Sequence, residues 1–155
     1  MTGDILKFLR EKEYVSGEVL AQKLGISRVA VWKQIQRLKD MGYKIISDQN
    51  MGYCLVSRPD LLIPQEVQRG LFTNYIGKEI YYFPELKSTN IIAKEKALHR
   101  AEGIAEGTLI ITEKQSAGKG RLGREWFSPV GGIWLSIILY PQLPPSYIPR
   151  ITLMT

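Results

Sequence analysis

Cysteine is nearly absent. Cys54 is the single one in 155 residues, so no internal disulfide can staple the chain, which excludes a disulfide-framework secreted scaffold and fits a reducing cytosol. Histidine is as scarce. His99 sits on a polar helix end with no partner residues at ligand spacing, so neither metal binding nor acid–base chemistry is expected of it. Long hydrophobic runs are missing too. The longest, Ile133 to Tyr140, is far short of the roughly 18 residues that a membrane helix needs. Met1-Thr2-Gly3-Asp4 carries no basic-then-apolar signal pattern. No internal repeat and no low-complexity tract is present. These absences lead us to expect a cytoplasmic protein without a membrane partner or a metal centre.

What remains is globular in composition, with 45% apolar and 23% charged residues, which argues against a disordered tail or a fibre. The net charge of +6 permits an anionic partner without naming one. The excess is local, however. Lys23, Arg28, Lys33, Arg37 and Lys39 meet only Glu18 between residues 16 and 39, and Lys114, Lys119, Arg121 and Arg124 share one short glycine-bearing run with Glu125 alone. Two separate basic sites are more informative than one diffuse charge, although any single lysine taken alone is explained as solvated surface.

Residues 1–57 read as three helices and a hairpin. Thr2 can cap a first helix carrying Ile5, Leu6, Phe8 and Leu9 at helical spacing. Ser16 opens a second with Val19, Leu20 and Leu24 inward, Gly25 closes it and Ile26 plugs the turn. Ser27 caps a third, stopped by Gly42, in which Val31, Gln34, Ile35, Leu38 and Met41 share one side. Tyr43–Ser47 and Tyr53–Val56 bracket a turn-prone segment and make a hairpin; Cys54 in the second strand is a small packing residue.

Two helices joined by a glycine turn, the second basic, outline a helix-turn-helix with the hairpin as its wing. Arg28, Val29, Trp32, Lys33, Gln36 and Arg37 fall on the outer face of the third helix. Arg and Lys suit phosphates or guanine, Gln suits adenine, and Val29 suits a thymine methyl. Trp32 either faces the nucleic acid or packs on the hairpin, and Lys44, Gln49 or Asn50 of the wing would lie near the backbone. The plainer reading is a three-helix protein-interaction module with a charged face.

Pro59 and Pro64 mark a linker over residues 58–65. Beyond it the texture is α/β: a short helix over Glu66–Phe72, a strand over Glu79–Phe83, a helix capped by Ser88-Thr89 and reaching about Arg100, a buried strand over Thr108–Thr112, a glycine-rich loop over Ser116–Gly123, and a strand over Ile133–Tyr140 that places Trp134 in the core. The loop is not a Walker motif, because Gly118-Lys119 is followed by Gly120 and position 113 is not glycine. It is not a dinucleotide fingerprint either, since the G-x-G-x-x-G of Gly118 to Gly123 leads into strand-like Trp126-Phe127-Ser128-Pro129 rather than a helix. Glycines that let backbone amides approach, beside Lys119, Arg121 and Arg124, still suit an anion.

The whole segment resembles the adenylate-binding loop of biotin–protein ligases, G-R-G-R-x-G-R followed by x-W. Ser88-Thr89-Asn90 is similar to that family's Ser-Thr-Asn signature, and Gln115 to the glutamine before its loop. The N-terminal module resembles the winged helix-turn-helix of the bifunctional members, which are both ligase and biotin operon repressor. The resemblance implies an α+β architecture: a winged helix-turn-helix (1–57), a linker (58–65) and the N-terminal portion of a class II synthetase-like catalytic domain (66–155). It implies that Ser88, Thr89, Asn90 and Gln115 border a biotin pocket. Gly118, Lys119, Gly120, Arg121 and Arg124 would lie over the biotin carboxylate and adenylate phosphate, with Lys119 and Arg121 assisting the chemistry and Trp126 forming a wall near the adenine.

The implied reaction joins biotin to ATP with Mg2+, giving biotinyl-5′-adenylate, and transfers biotin to a lysine of a biotin carboxyl carrier protein. The same adenylate is the corepressor that promotes homodimerisation on operator DNA. Lys119 stands where the family usually has arginine and lacks the bidentate fork. The family continues with a Lys-Trp-Pro-Asn-Asp-type segment and a small C-terminal barrel, whereas this sequence ends on the apolar run Ile151–Thr155, which reads like the opening of a helix. The expectation is therefore a fragment or a truncated protein with an incomplete catalytic sheet, with a DNA-binding regulator lacking ligase activity as the alternative reading. A lipoate-type adenylate transferase is a third, disfavoured by the winged helix and Ser-Thr-Asn.

Overall fold

A computed structural model describes residues 2–11, 13–99, 101 and 103–148. The chain divides into two compact units, Met1–Asp60 and Leu61–Thr155. No helix among the described residues is long and apolar enough to cross a membrane.

In the first unit, α1 (Thr2–Glu11), α2 (Gly17–Leu24) and α3 (Arg28–Asp40) precede the hairpin β1 (Lys44–Asp48) and β2 (Gly52–Ser57). Both internal helices start where the sequence has serine. Ser16 Oγ accepts from Val19 N at 3.2 Å and Ser27 Oγ from Ala30 N at 3.1 Å, so each hydroxyl satisfies an amide that the first turn leaves open. Gly25 ends α2 in the left-handed region at φ 65°. Ile5, Leu6, Leu20, Val31, Ile35 and Leu38 are completely buried. At about 1.5–3 kcal/mol for each large aliphatic side chain removed from water, this cluster is the unit's main source of stability.

The strands extend one residue further into the turn than expected. Asp48 Oδ1 accepts from the amides of Asn50 and Met51, both at 2.8 Å, which closes the hairpin tightly. Paired backbone bonds between Val15 and Tyr53, 2.9 and 2.8 Å, tie β2 to the α1–α2 connection. A Cβ on Gly52 (φ +99°) would stand 2.4 Å from Val15 O, so this position is closed to any other residue.

In the second unit, α4 (Pro64–Val67) and a 3-10 turn (Gln68–Gly70) replace the expected helix over 66–72. Pro64 does not break structure there. It occupies the first helical turn, where its missing N–H costs nothing. Then follow β3 (Ile80–Phe83), α5 (Thr89–Leu98), β4 (Leu109–Thr112), β5 (Gln115–Lys119), β6 (Glu125–Ser128) and β7 (Trp134–Ile137). Strands β3 and β4 are parallel, joined through α5, and β7 runs antiparallel on the other side of β4. Every residue of the central strand β4 is buried, as its unbroken apolar run predicts. Ala93, Ile110 and Ile138 form the core beneath α5, flanked by Tyr81, Phe83 and Leu86.

Three expectations need correction here. The segment over Ser116–Gly123 is not one loop: β5 and β6 pair as a separate hairpin, Gly118 opposite Trp126. Only Trp134–Ile137 of the expected long strand joins the sheet. Trp134 is not core; it is half-buried and its indole Nε1 donates to Pro129 O at 2.8 Å, because the chain bends at Gly131 (φ +94°) and brings that carbonyl within reach. The expected helix end at Arg100 and the run Ile151–Thr155 lie outside the described residues.

Candidate nucleic-acid face and ligand cleft

Helix α3 separates its two faces as its periodicity requires. Val31, Gln34, Ile35 and Leu38 are buried, while Arg28, Val29, Trp32, Lys33 and Arg37 are exposed and Gln36 is half-buried. Val29 is 63% and Trp32 52% exposed, an apolar pair standing among three cations. Trp32 does not pack away under the hairpin. It lines a groove of about 590 Å3 with Arg28, Val29, Ser16 and, from the hairpin tip, Gln49 and Asn50. Arg28, Val29 and Trp32 of the expected recognition face thus border one concavity with the wing tip, whereas Lys33, Gln36 and Arg37 are not among its lining residues. The two backbone amides on its carboxylate hold the Asp48 pKa below its usual value.

In the second unit a cleft of about 490 Å3 is lined by Ser88, Thr89, Asn90, Gln115, Lys119, Gly120 and Trp126, all predicted from sequence, and by Ile133, Trp134 and Leu135. Its polar end is a connected set of hydrogen bonds. Gln115 Oε1 accepts from Thr89 N at 2.8 Å and Thr89 Oγ1 at 3.2 Å. Gln115 Nε2 donates to Ser128 Oγ at 3.0 Å, and that hydroxyl donates to Trp126 O at 3.2 Å. Ser136 Oγ lies 2.9 Å from Thr89 Oγ1 and 3.2 Å from Asn90 Oδ1. Ser88 stands at the cap position of α5, yet its side chain makes no capping bond. Gln115, reaching across from β5, takes the first open amide of the helix instead.

The glycines around the basic segment are explained by packing as well as by anion approach. A Cβ on Gly118 would come within 2.8 Å of both Ser128 Oγ and Trp126 O, and one on Gly120 within 2.6 Å of Trp126 Nε1. Trp126 is 59% exposed and forms one wall of the cleft. Between the strands, Gly120 N donates to Arg124 O at 2.7 Å, closing a 3-10 turn (Arg121–Gly123) in which Leu122 adopts φ 59° with its side chain 95% exposed. Lys119 and Arg124 are exposed. Arg124 and Gly118 do not line the cleft, and the side chain of Arg121 lies outside the described residues. Sequence reasoning missed Ser128 and Ser136. The available signal was a hydroxyl directly after the aromatic pair Trp126–Phe127 and a lone hydroxyl inside the apolar run Trp134–Ile138. No group of three or more His, Cys, Asp or Glu side chains suited to a metal occurs among the described residues.

A helix-turn-helix followed by a mixed sheet whose cleft joins a polar amide–hydroxyl set to the Lys119 cation defines a protein of two parts, a helix-turn-helix module and a ligand-cleft domain. Residues 3–54 match the family described as HTH domain, and residues 82–155 match the family described as biotin/lipoate A/B protein ligase family. The chain is 40% identical over 143 residues to the bifunctional ligase/repressor BirA of Bacillus subtilis, covering 92% of this chain and 43% of that protein. It is 35% identical to the bifunctional ligase/repressor BirA of Escherichia coli, covering 92% and 42%. The chain thus spans under half the length of these curated relatives. A biotin protein ligase from Aquifex aeolicus solved with biotin and ATP is 34% identical over 42% of this chain and 25% of that one, at a TM-score of 0.36.

Proposed function

We propose that this chain supplies the operator-binding domain and the biotin- and ATP-binding part of a bifunctional biotin–protein ligase and biotin-responsive repressor of biotin synthesis genes. One observation carries the reading: a hydrogen-bonded polar end (Thr89, Asn90, Gln115) and the Lys119 cation at the end of β5 border the same cleft. Amide and hydroxyl groups suit the ureido ring. Cations suit the carboxylate and the phosphates. In the proposed reaction the biotin carboxylate attacks the α-phosphorus of ATP, pyrophosphate leaves, and a carrier-protein lysine then displaces AMP from the mixed anhydride.

Bringing two anions together is the difficult step. Lys119 at the cleft, with Arg121 and Arg124 beside it in sequence, lowers that barrier electrostatically, and Trp126 shields the anhydride from water. Magnesium enters bound to the nucleotide as part of that substrate. The proposed domain limits are 1–57, 58–65 and 66–155, with Arg28, Val29, Trp32, Lys33, Gln36 and Arg37 on DNA. Homodimerisation with adenylate bound, a biotin carboxyl carrier protein as acceptor and a cytoplasmic location complete the proposal.

Biotin-dependent exchange of pyrophosphate into ATP by the 155-residue chain tests the ligase part. Exchange with biotin and none with lipoate is expected. Exchange with lipoate alone reassigns the substrate. Binding of biotin operator DNA without any exchange leaves a regulator only.

A further inference from the structure

We propose that Ser136 on β7 is a positioning residue for the cleft, its hydroxyl bracing Thr89 and Asn90 and, through Thr89, the Gln115 carboxamide. The ligand it serves rests on the reading above; the positioning itself rests on geometry. Thr89 N–H and Thr89 Oγ1–H both point to Gln115 Oε1. A backbone amide can only donate, so the Gln115 carboxamide oxygen is fixed towards Thr89 and its nitrogen towards Ser128 Oγ.

Thr89 has now spent its one proton on Gln115. Its lone pair needs a donor, and Ser136 Oγ supplies one from 2.9 Å. The chain therefore runs one way, from Ser136 through Thr89 to Gln115 and on through Ser128 to Trp126 O. Asn90 Oδ1, 3.2 Å from the same Ser136 hydroxyl, competes for that single proton, so Ser136 couples the first two residues of α5 to the sheet. Thr89 is 4% exposed and Ser128 2%, and directional bonds in such a place are not replaced by water.

The consequence is chemical. Gln115 keeps one Nε2–H without a protein partner among the described residues, so this end of the cleft offers a donor and selects a carbonyl acceptor in its ligand. Ser136 never needs to touch the ligand to do this.

The test uses the 155-residue chain with Ser136→Ala, and the near-isosteric pair Ser136→Thr and Ser136→Val, which differ chiefly by the hydroxyl. Readouts are the Gln115 side-chain amide and Thr89 backbone amide resonances in 1H–15N spectra, and the dissociation constant for biotin. Loss of the hydroxyl should shift both resonances and weaken biotin by about two- to tenfold, the usual worth of one hydrogen bond. Ser136→Thr should restore both values. If Ser136→Ala disrupts the fold, the Thr and Val variants still separate hydroxyl from shape. Unchanged resonances and affinity in the variants lacking the hydroxyl overturn the proposal. Shifted resonances in a chain that does not bind biotin uphold the positioning role and sink the ligand reading instead.

Discussion

Three glycines of one basic segment should fail for three different reasons when changed to alanine. A Cβ on Gly118 meets Ser128 Oγ and the Trp126 carbonyl at 2.8 Å each. The carbonyl belongs to the β5–β6 ladder, so relief requires the hairpin to open. Such overpacking costs about 1–3 kcal/mol, and for a domain of this size each kcal/mol lowers the melting temperature by roughly 4–8 °C. A Cβ on Gly120 meets the indole of Trp126 at 2.6 Å. That ring is largely exposed and can swing aside, so Gly120→Ala should change tryptophan emission and ligand affinity with a smaller loss of stability. A Cβ on Gly123 meets nothing within 4 Å, yet its φ of +74° imposes a left-handed backbone penalty of about 1 kcal/mol. Thermal unfolding followed by far-UV circular dichroism, with parallel tryptophan fluorescence, ranks the three. A Gly118→Ala protein as stable as wild type, or one more stable than Gly123→Ala, refutes the steric account of the segment.

Four further outcomes follow from the same geometry. Arg28→Ala, Lys33→Ala and Arg37→Ala should each weaken DNA binding, and each cation that pairs with a phosphate should account for about 0.9 of the slope of log affinity against log salt; unchanged slopes place these cations off the DNA. Trp32→Ala should cost affinity while leaving that slope intact, because an apolar contact releases no counterion; a fallen slope would mean the helix itself had shifted. Burial, and next the nearby Glu113 carboxylate, push the Tyr82 hydroxyl up to about 12. The folded state thus favours the protonated phenol, and this contribution is complete below pH 10 and lost as pH rises towards 12; ultraviolet titration of Tyr82→Phe should lose one late-ionising tyrosine and keep Tyr81, which its hydrogen bond to Glu79 also raises. The Asp48 carboxyl is held low by its two amide bonds, so its contribution is present above the ordinary carboxylate range and fades as pH falls through the depressed value. Hairpin amide exchange in Asp48→Ala should then show no such acid dependence.

Local chemistry made the first unit legible. Ser16, Ser27 and Gly25 are caps and stops whose partners lie within four residues, so their bonds follow from spacing alone. The burial of Val31, Ile35 and Leu38 likewise follows from helical period. The second unit was legible where a run is uniformly apolar, as in β4, and much less so where the partner is distant in sequence. Nothing near Ser88 indicates that Gln115, 26 residues beyond Thr89, caps the start of the helix. Nothing in Gly118-Lys119-Gly120 separates an open anion loop from a strand pressed against an indole. Trp134 failed for a similar reason, since hydrophobicity places it inside while a carbonyl at Pro129 holds its nitrogen at the rim. Resemblance to the ligase motifs therefore located the cleft residues, and the hydroxyls that brace them emerged only from the pairing of β6 with β5 and of β7 with β4.

The two ends of the cleft are built differently, and that difference has a physical basis on the proposed reading. Recognition of an uncharged ring depends on hydrogen-bond direction, which survives only where water cannot substitute; the Thr89–Gln115–Ser128 set is accordingly largely buried and bonded within itself. Holding phosphates depends on charge, which acts over several ångströms and tolerates an exposed, adjustable site. Lys119 and Arg124 are exposed, and the turn between them carries Leu122 in a left-handed conformation with its side chain in solvent. That conformation is costly for a bulky residue, and within the described residues no apolar contact of Leu122 offsets it. A bonded polar end selects by direction, whereas an exposed cationic end acts by charge. Ligand selectivity should therefore follow substitutions at Ser136, Thr89 and Gln115, and dependence on ionic strength should follow those at Lys119 and Arg124.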